Sequence, residues 1–373
     1  RLAPSLLPLA RFPETLETLE RYRTSLDQVS DPALSGRYHF WLAHTHSYLG
    51  NQEAAAENAR TAIAAAEPCG DEATQGKACY VLGRDCFWSG RFSEGLQHSL
   101  KAIVLLERSG EPWWQGQAYW VAGFHHYALG RLEAGLQAMS RAHAIGEALG
   151  DHRLDTSWST GYFYASTGDV ERGIEECRGG LARAQDPLNT AAALGFLGYA
   201  YLEKGDVPRA KETLQQAVQL LQQTGFQPLL GWFSAFLAEA DLADGLPDEA
   251  RELALQALEV TAEAQFRYGV GLAQRALGRI ARGSHDLSMA EARLREALAT
   301  FATLEVPLEI ARTHLDLAEL AHAQGASAAA ASEIDLAHRG FVELGLRRYQ
   351  ERVARLSAEL ALPLSPAAAL SPG

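Results

Sequence analysis

The residues whose types could carry chemistry are few and poorly spaced for it. His44 with His46, and the adjacent His125 and His126, are the close histidine pairs. Two metal ligands on one helical face want i, i+4 spacing, which neither pair has, so both read as hydrogen-bonded polar residues in a helix interface. The four cysteines, Cys69, Cys79, Cys86 and Cys177, contain no C-x-x-C pair. A zinc site is therefore not expected, and reduced thiols in a cytoplasm are the simpler reading. Cys79 and Cys86 lie two helical turns apart and read as ordinary buried thiols. From Gly70 to Ala78 the chain resembles a phosphate-binding loop, with Gly76-Lys77 at its end. The spacing is one residue too long, Ala78 stands where a Ser or Thr would hold magnesium, and the segment follows a helix, not a strand. Paired carboxylates such as Glu175-Glu176 and Asp248-Glu249 read as a solvated helix face. Sequence alone brings no Ser, His and Asp together. The expectation is no catalytic residue, no metal, no cofactor and no enzymatic activity in this chain.

The elements that carry these residues are set by a ruler. Ala62, Ala102, Ala142, Gly180, Ala217, Ala257, Ala297 and Ala337 fall 40, 40, 38, 37, 40, 40 and 40 positions apart. Nineteen residues before each stands another small residue, Ala43, Gly83, Gly123, Gly161, Gly198, Ala238, Gly278 or Ala318. Between these marks, Gly50, Gly90, Gly130, Gly168, Gly205, Gly245 and Gly325 sit where a helix ends in a left-handed residue, the seventh unit having Gly283 two residues early. Gly70, Gly110, Gly150, Gly225 and Gly345 close many units. Each unit reads as helix, turn, helix, with apolar residues at spacings of three and four and no alternating run that would argue for strands. Such an array gives an extended surface and not one buried reaction centre.

Composition agrees. With 47% hydrophobic and 21% charged residues the chain can bury a continuous core, and its formal charge of −13 argues against nucleic acid as a direct partner, since phosphate binding needs a basic stripe. No stretch of 18 consecutive apolar residues would cross a membrane, and the start is not a signal peptide. Residues 1–32, with Leu16, Leu19, Tyr22 and Leu26, read as a partial repeat helix. Residues 33–360 read as about eight repeats, and 361–373 as a flexible tail. Arg1 in place of Met reads as the start of a fragment or a processed chain.

These marks resemble the tetratricopeptide repeat, whose pattern places a Leu-Gly pair and an aromatic in the first helix and Ala in the second. Leu82-Gly83, Leu197-Gly198 and Leu277-Gly278 fit, with Tyr164 and Tyr201 three residues after their glycines. The resemblance implies an all-α fold, a right-handed α-α superhelix, with units of about 40 residues against the usual ~34. Long units of this kind are similar to those of kinesin light chains and of the carboxy-terminal sensor regions of bacterial multidomain signalling ATPases, maltose-regulon-type activators and some adenylate cyclases. That likeness implies an ATPase- or cyclase-type output domain upstream.

In the family the first helix of each unit lines the concave groove. Carried over position by position, this places Phe40, His44 and Tyr48 in the groove from unit one, with Tyr80, Arg84, Phe87 and Trp88 from unit two. Unit three supplies Trp120, Phe124 and Tyr127, unit four Trp158 and Tyr162, and Tyr199 and Trp232 continue the line. Aromatics are 9% of the chain but half of the inferred groove positions of the first four units. Arg37, Lys77 and Arg84 stand among them, suited to an acidic or carboxylate-ended group. In unit seven the same positions turn basic with Arg275, Arg279 and Arg282. A one-residue slip in register rotates a side chain by about 100° and would bring Trp41, Trp113, Trp114, Phe163, Phe196 and Phe233 forward or back. The resemblance thus implies a sensor or interaction module binding a peptide, a protein segment or a small effector. The alternative is a structural or oligomerising scaffold whose groove is filled by its own aromatics, with the arginines paired to Glu239, Glu319 or neighbouring acids.

Overall fold

A computed structural model describes residues 12–24 and 31–361 of the chain, and among them every regular element is helical. After α1 (Phe12–Arg21) come eight helical hairpins: α2 (Pro32–Tyr48) with α3 (Gln52–Ala66), α4 (Glu72–Trp88) with α5 (Phe92–Arg108), α6 (Pro112–Ala128) with α7 (Leu132–Leu149), and α8 (Ser157–Ser166) with α9 (Val170–Arg183). The second half repeats the unit: α10 (Pro187–Lys204) with α11 (Val207–Thr224), α12 (Gln227–Ala243) with α13 (Pro247–Glu263), α14 (Arg267–Gly283) with α15 (Leu287–Thr303), and α16 (Pro307–Ala323) with α17 (Ser327–Glu343). α18 (Arg347–Glu359) closes the array, and a short 3-10 turn, His152–Leu154, precedes α8. Leu26 and, apart from Ala361, the expected tail lie outside the described residues. Within α1, Phe12 and Thr15 are buried with Leu16 and Leu19 half-buried on the same face, while Tyr22 is exposed.

Local chemistry sets the ends of the helices. Asp31 starts α2 by accepting hydrogen bonds from the amides of Ala33 and Leu34, and Asp71 starts α4 by accepting one from Thr74. The Gly70 to Ala78 segment is therefore a hairpin junction and a helix cap. All twelve turn and closing glycines named above apart from Gly283 have positive φ. In unit seven the left-handed position falls on His285 instead (φ 61), and Gly283 is the last residue of α14. The small-residue ruler marks places where helices touch backbone to backbone. A Cβ added at Gly161 would lie 2.7 Å from the Gly173 carbonyl oxygen across the hairpin, a contact no neighbour can relieve.

The first helices form the inner layer. α12 buries twelve of its seventeen residues, whereas its partner α13 buries four along one stripe. The superhelix is wound so tightly that it rests on itself with an offset of five units. Gln52 Nε2, in unit one, donates to the Ala264 carbonyl at the end of unit six (3.1 Å). Gly90 lies against Leu304, Gly130 against Leu344 and Pro307, and Gly168 against Arg348. Across the axis, Tyr162 and Tyr268 share a hydroxyl hydrogen bond of 3.1 Å. These contacts decide how much of the concave side stays open.

Candidate functional site

The axis is open near the amino-terminal units and packed shut further on. The open part is a cavity of about 390 Å³ walled by α2, α4, α6, the 3-10 turn and the start of α8, with α10 and α12 closing it. All seven tryptophans of the chain line it: Trp41, Trp88, Trp113, Trp114, Trp120, Trp158 and Trp232. They form a continuous aromatic wall. Trp41 and Trp114 meet edge to face at 6.0 Å, Trp120 and Trp158 at 5.9 Å, and Trp158 stacks on Phe196 at 5.6 Å. The floor is buried, with Arg84, Phe87, Trp88, Phe196 and Trp232. The rim is polar and wetter, with Arg153 exposed and Gln117, Asp155, Asp186 and Asn189 half-buried.

Of the residues assigned to the groove from sequence, His44, Tyr48, Arg84, Phe87, Trp88, Trp120, Phe124, Trp158 and Trp232 line this cavity. Phe40, Tyr80, Tyr127, Tyr162 and Tyr199 do not; they are buried in packing between helices. Phe40 meets Trp114 edge to face at 5.1 Å, the Tyr80 hydroxyl donates to Gln117 Oε1 (3.4 Å), and Tyr127 stacks on Phe163 at 4.3 Å and donates to Ser166 Oγ (2.8 Å). For Tyr127, Tyr162 and Tyr199 the reason is the tight winding, which brings α8, α12 and α14 into contact across the axis, whereas Phe40 and Tyr80 are covered by α6. Trp41, Trp113, Trp114 and Phe196 reach the cavity in their place. For Trp41 and Phe196 the signal was the register ambiguity, because one residue of rotation separates groove from interface, whereas Trp113 and Trp114 precede the first groove position of their unit.

The arginines of unit seven do not form a free basic patch. Arg275 is buried against Glu309, Arg279 pairs with Asp316 (2.9 Å) and Glu239 (2.6 Å), and Arg282 pairs with Glu319. Arg312 extends the network, donating to the Ser166 carbonyl (2.7 Å) and the Tyr199 hydroxyl (2.8 Å) and pairing with Glu309 (3.2 Å). Burial works to raise the Glu309 carboxyl, but Arg275 and Arg312 beside it outweigh burial and hold it below the usual carboxylate range. The small cleft here, about 20 Å³, has room for roughly one water. These side chains neutralise one another and tie α8, α10, α14 and α16 together.

Other candidate groups have structural partners. His125 Nε2 faces the Gly83 carbonyl oxygen at 3.0 Å, and burial brings its pKa down to about 3. Burial, then the charge of Arg84, holds His44 well below its ordinary value, so it is neutral. Burial pushes the Cys79 thiol up to about 11 and the Cys86 thiol up to about 12, while Cys69 is exposed. Cys86, Glu94 and His98 come within 4.8 Å of one another, a trio the sequence reading passed over. Arg91 already occupies both Glu94 oxygens at 3.1 Å, a cation on the ligand that a metal would need. Among the described residues no helix is long and apolar enough to cross a membrane.

A solenoid of helical hairpins enclosing an aromatic cavity on its concave side defines the class: the fold is that of tetratricopeptide-repeat proteins. No protein-family model matches the chain, and no curated protein matches its sequence. Solved structures do match across almost the whole length. A Rap protein complexed with competence and sporulation factor has a TM-score of 0.70 at 14% identity, covering 96% of this chain and 97% of that one. The Rap conjugation gene regulator of plasmid pLS20, in complex with a Phr peptide, has a TM-score of 0.61 at 14% identity, covering 97% and 96%. The apo form of the quorum sensor NprR from B. thuringiensis has a TM-score of 0.56 at 16% identity, covering 96% of each chain. At these identities the likeness is one of fold.

Proposed function

We propose that this chain is a recognition module that captures a peptide in the tryptophan-lined cavity, without catalysing a reaction. The observation that carries the proposal is the convergence of all seven tryptophans on one cavity that the described side chains leave open. Trp and Tyr dominate binding hot spots because they present a large, stiff apolar area with a polar tip. A volume of about 390 Å³ lies in the range of small-ligand sites, enough for a few residues of a peptide. Two structural neighbours are solved with a signalling factor or peptide bound, which supports peptide as the ligand class. In the same proposal the module works in the cytoplasm and biases an output domain upstream; reading the gene ahead of Arg1 tests that part.

The test is a titration of tryptophan emission with peptide pools. Binding shifts or quenches the emission, and Trp120→Ala weakens it by about 2 kcal/mol, the scale of a hot spot. Unchanged emission at saturating peptide would remove the basis of the proposal. The filled-groove scaffold keeps a share of the molecule: from unit four onward Tyr162, Trp232 and Tyr268 close the axis.

A further inference from the structure

We infer that the cavity reads the carboxy terminus of its peptide: an apolar last side chain lies among the tryptophans, and the terminal carboxylate is held by Arg84. The inference rests on the cavity being the peptide site. Its basis is a contrast among the arginines of the inner helices. Arg275, Arg279 and Arg312 each face at least one carboxylate. Arg84 is only 4% exposed, yet it makes no ion pair among the described residues, and its Nη1 has no hydrogen-bond partner. Its guanidinium lies over the Tyr48 ring at 3.5 Å, a contact that steadies the cation without neutralising it. Arg37 and Lys77, the other cations expected in the groove, are already paired with Asp71 (3.4 Å) and Glu111 (2.7 Å). The adjacent Asp85 is bound by Arg91 at 3.2 Å. A buried charge without a counterion is costly, and an incoming carboxylate would supply one in a poorly hydrated site.

The surrounding donors point the same way. Trp88 and Trp232 line the cavity, and their buried indole nitrogens have no acceptor. The acids at the cavity are on the rim, and both are engaged. Asp155 pairs with Arg183, while Asp186 accepts from the amide and side chain of Asn189 (2.9 and 2.7 Å). Those rim aspartates and the overall charge of −13 disfavour a polyanion, which leaves a single carboxylate behind an uncharged or basic stretch. A chain end also suits the shape. A volume of about 390 Å³ takes a few residues, and a terminus brings in only those while its preceding residues lie against Gln117, Asn189 and Arg153.

The experiment compares two pools of tripeptides with an apolar last residue, one ending in a free acid and the other in an amide. 3-Phenylpropanoate serves as a third ligand, and calorimetry and tryptophan emission report binding. The free acids are expected to bind at least tenfold tighter than the amides. Arg84→Gln should erase the difference between acids and amides, and Arg84→Lys should keep part of it. Equal binding of acids and amides to the native protein overturns the role of Arg84 but leaves the cavity as the site. 3-Phenylpropanoate binding as tightly as the peptide acids overturns the peptide terminus as the occupant. Failure of both peptide pools to bind overturns this inference together with the peptide reading. The acid-to-amide ratio on the native chain decides the matter even where Arg84→Gln fails to fold.

Discussion

Filling the cavity from its own wall should stabilise the protein and block binding at once. Ala192 is buried on α10, and Leu188, Asn189 and Phe196, three and four residues away on the same face, line the cavity with it. Ala192→Leu sends three further carbon atoms into open space. At about 0.8 kcal/mol per buried methylene the gain is about 2.4 kcal/mol, from which fixing the leucine rotamer removes roughly 0.5 to 1 kcal/mol. The expected net is a stabilisation of about 1.5 kcal/mol, seen as a higher urea midpoint at unchanged slope. The control is Ala217→Leu, at a fully buried ruler position where helices pack closely. There the same carbons must be forced in, at a cost of about 1 to 3 kcal/mol. The two substitutions are chemically identical, so opposite signs isolate the empty volume. If Ala192→Leu destabilises as Ala217→Leu does, the cavity is collapsed in solution and the reasoning built on it fails. If it stabilises but peptide affinity is unchanged, the ligand binds elsewhere.

Two further predictions concern buried charge. His125 has a folded pKa near 3 against about 6.5 unfolded, so the unfolded chain takes up the proton first. Its stabilising effect is intact above about pH 6.5 and is lost as the pH falls from there toward 3, by about 2 kcal/mol between pH 6.5 and 5 at about 1.4 kcal/mol per unit. His125→Gln, which can still donate to Gly83, should flatten denaturation midpoints over that interval by this amount; an unchanged pH slope would contradict the assignment. Arg312→Met leaves Glu309, Tyr199 and the Ser166 carbonyl short of a donor, with an expected loss of about 3 kcal/mol or more in urea unfolding. Faster amide exchange in α8 and α16 should accompany it, and exchange confined to α16 alone would deny that Arg312 ties the two together.

The repeat architecture was legible because its causes are local. Glycines at left-handed turns, acids and prolines at helix starts and small residues where paired helices touch act within one or two units, and the spacing of 37 to 40 residues records them directly. His285 shows the limit even there, taking the left-handed position that Gly283 marked in sequence. The aromatic character of the concave side was legible too, although its register was not. Trp113 and Trp114 reach the cavity from the first turn of α6, a place no groove position of the repeat pattern covers.

What the chain by itself determined is the hairpin, its period and the collection of aromatics on inner helices, all consequences of side chains a few turns apart. Which of those aromatics stay available was decided by the tertiary winding, which sets Tyr162 against Tyr268 and Arg312 against Ser166 across more than a hundred residues. Packing between adjacent units gives Arg275 and Arg279 their carboxylates and leaves Arg84 without an ion pair among the described residues. Sequence offers acids one repeat away as partners for such arginines; only the fold decides which arginine meets one, because neutralising a buried charge depends on how the side chains of adjacent units face each other.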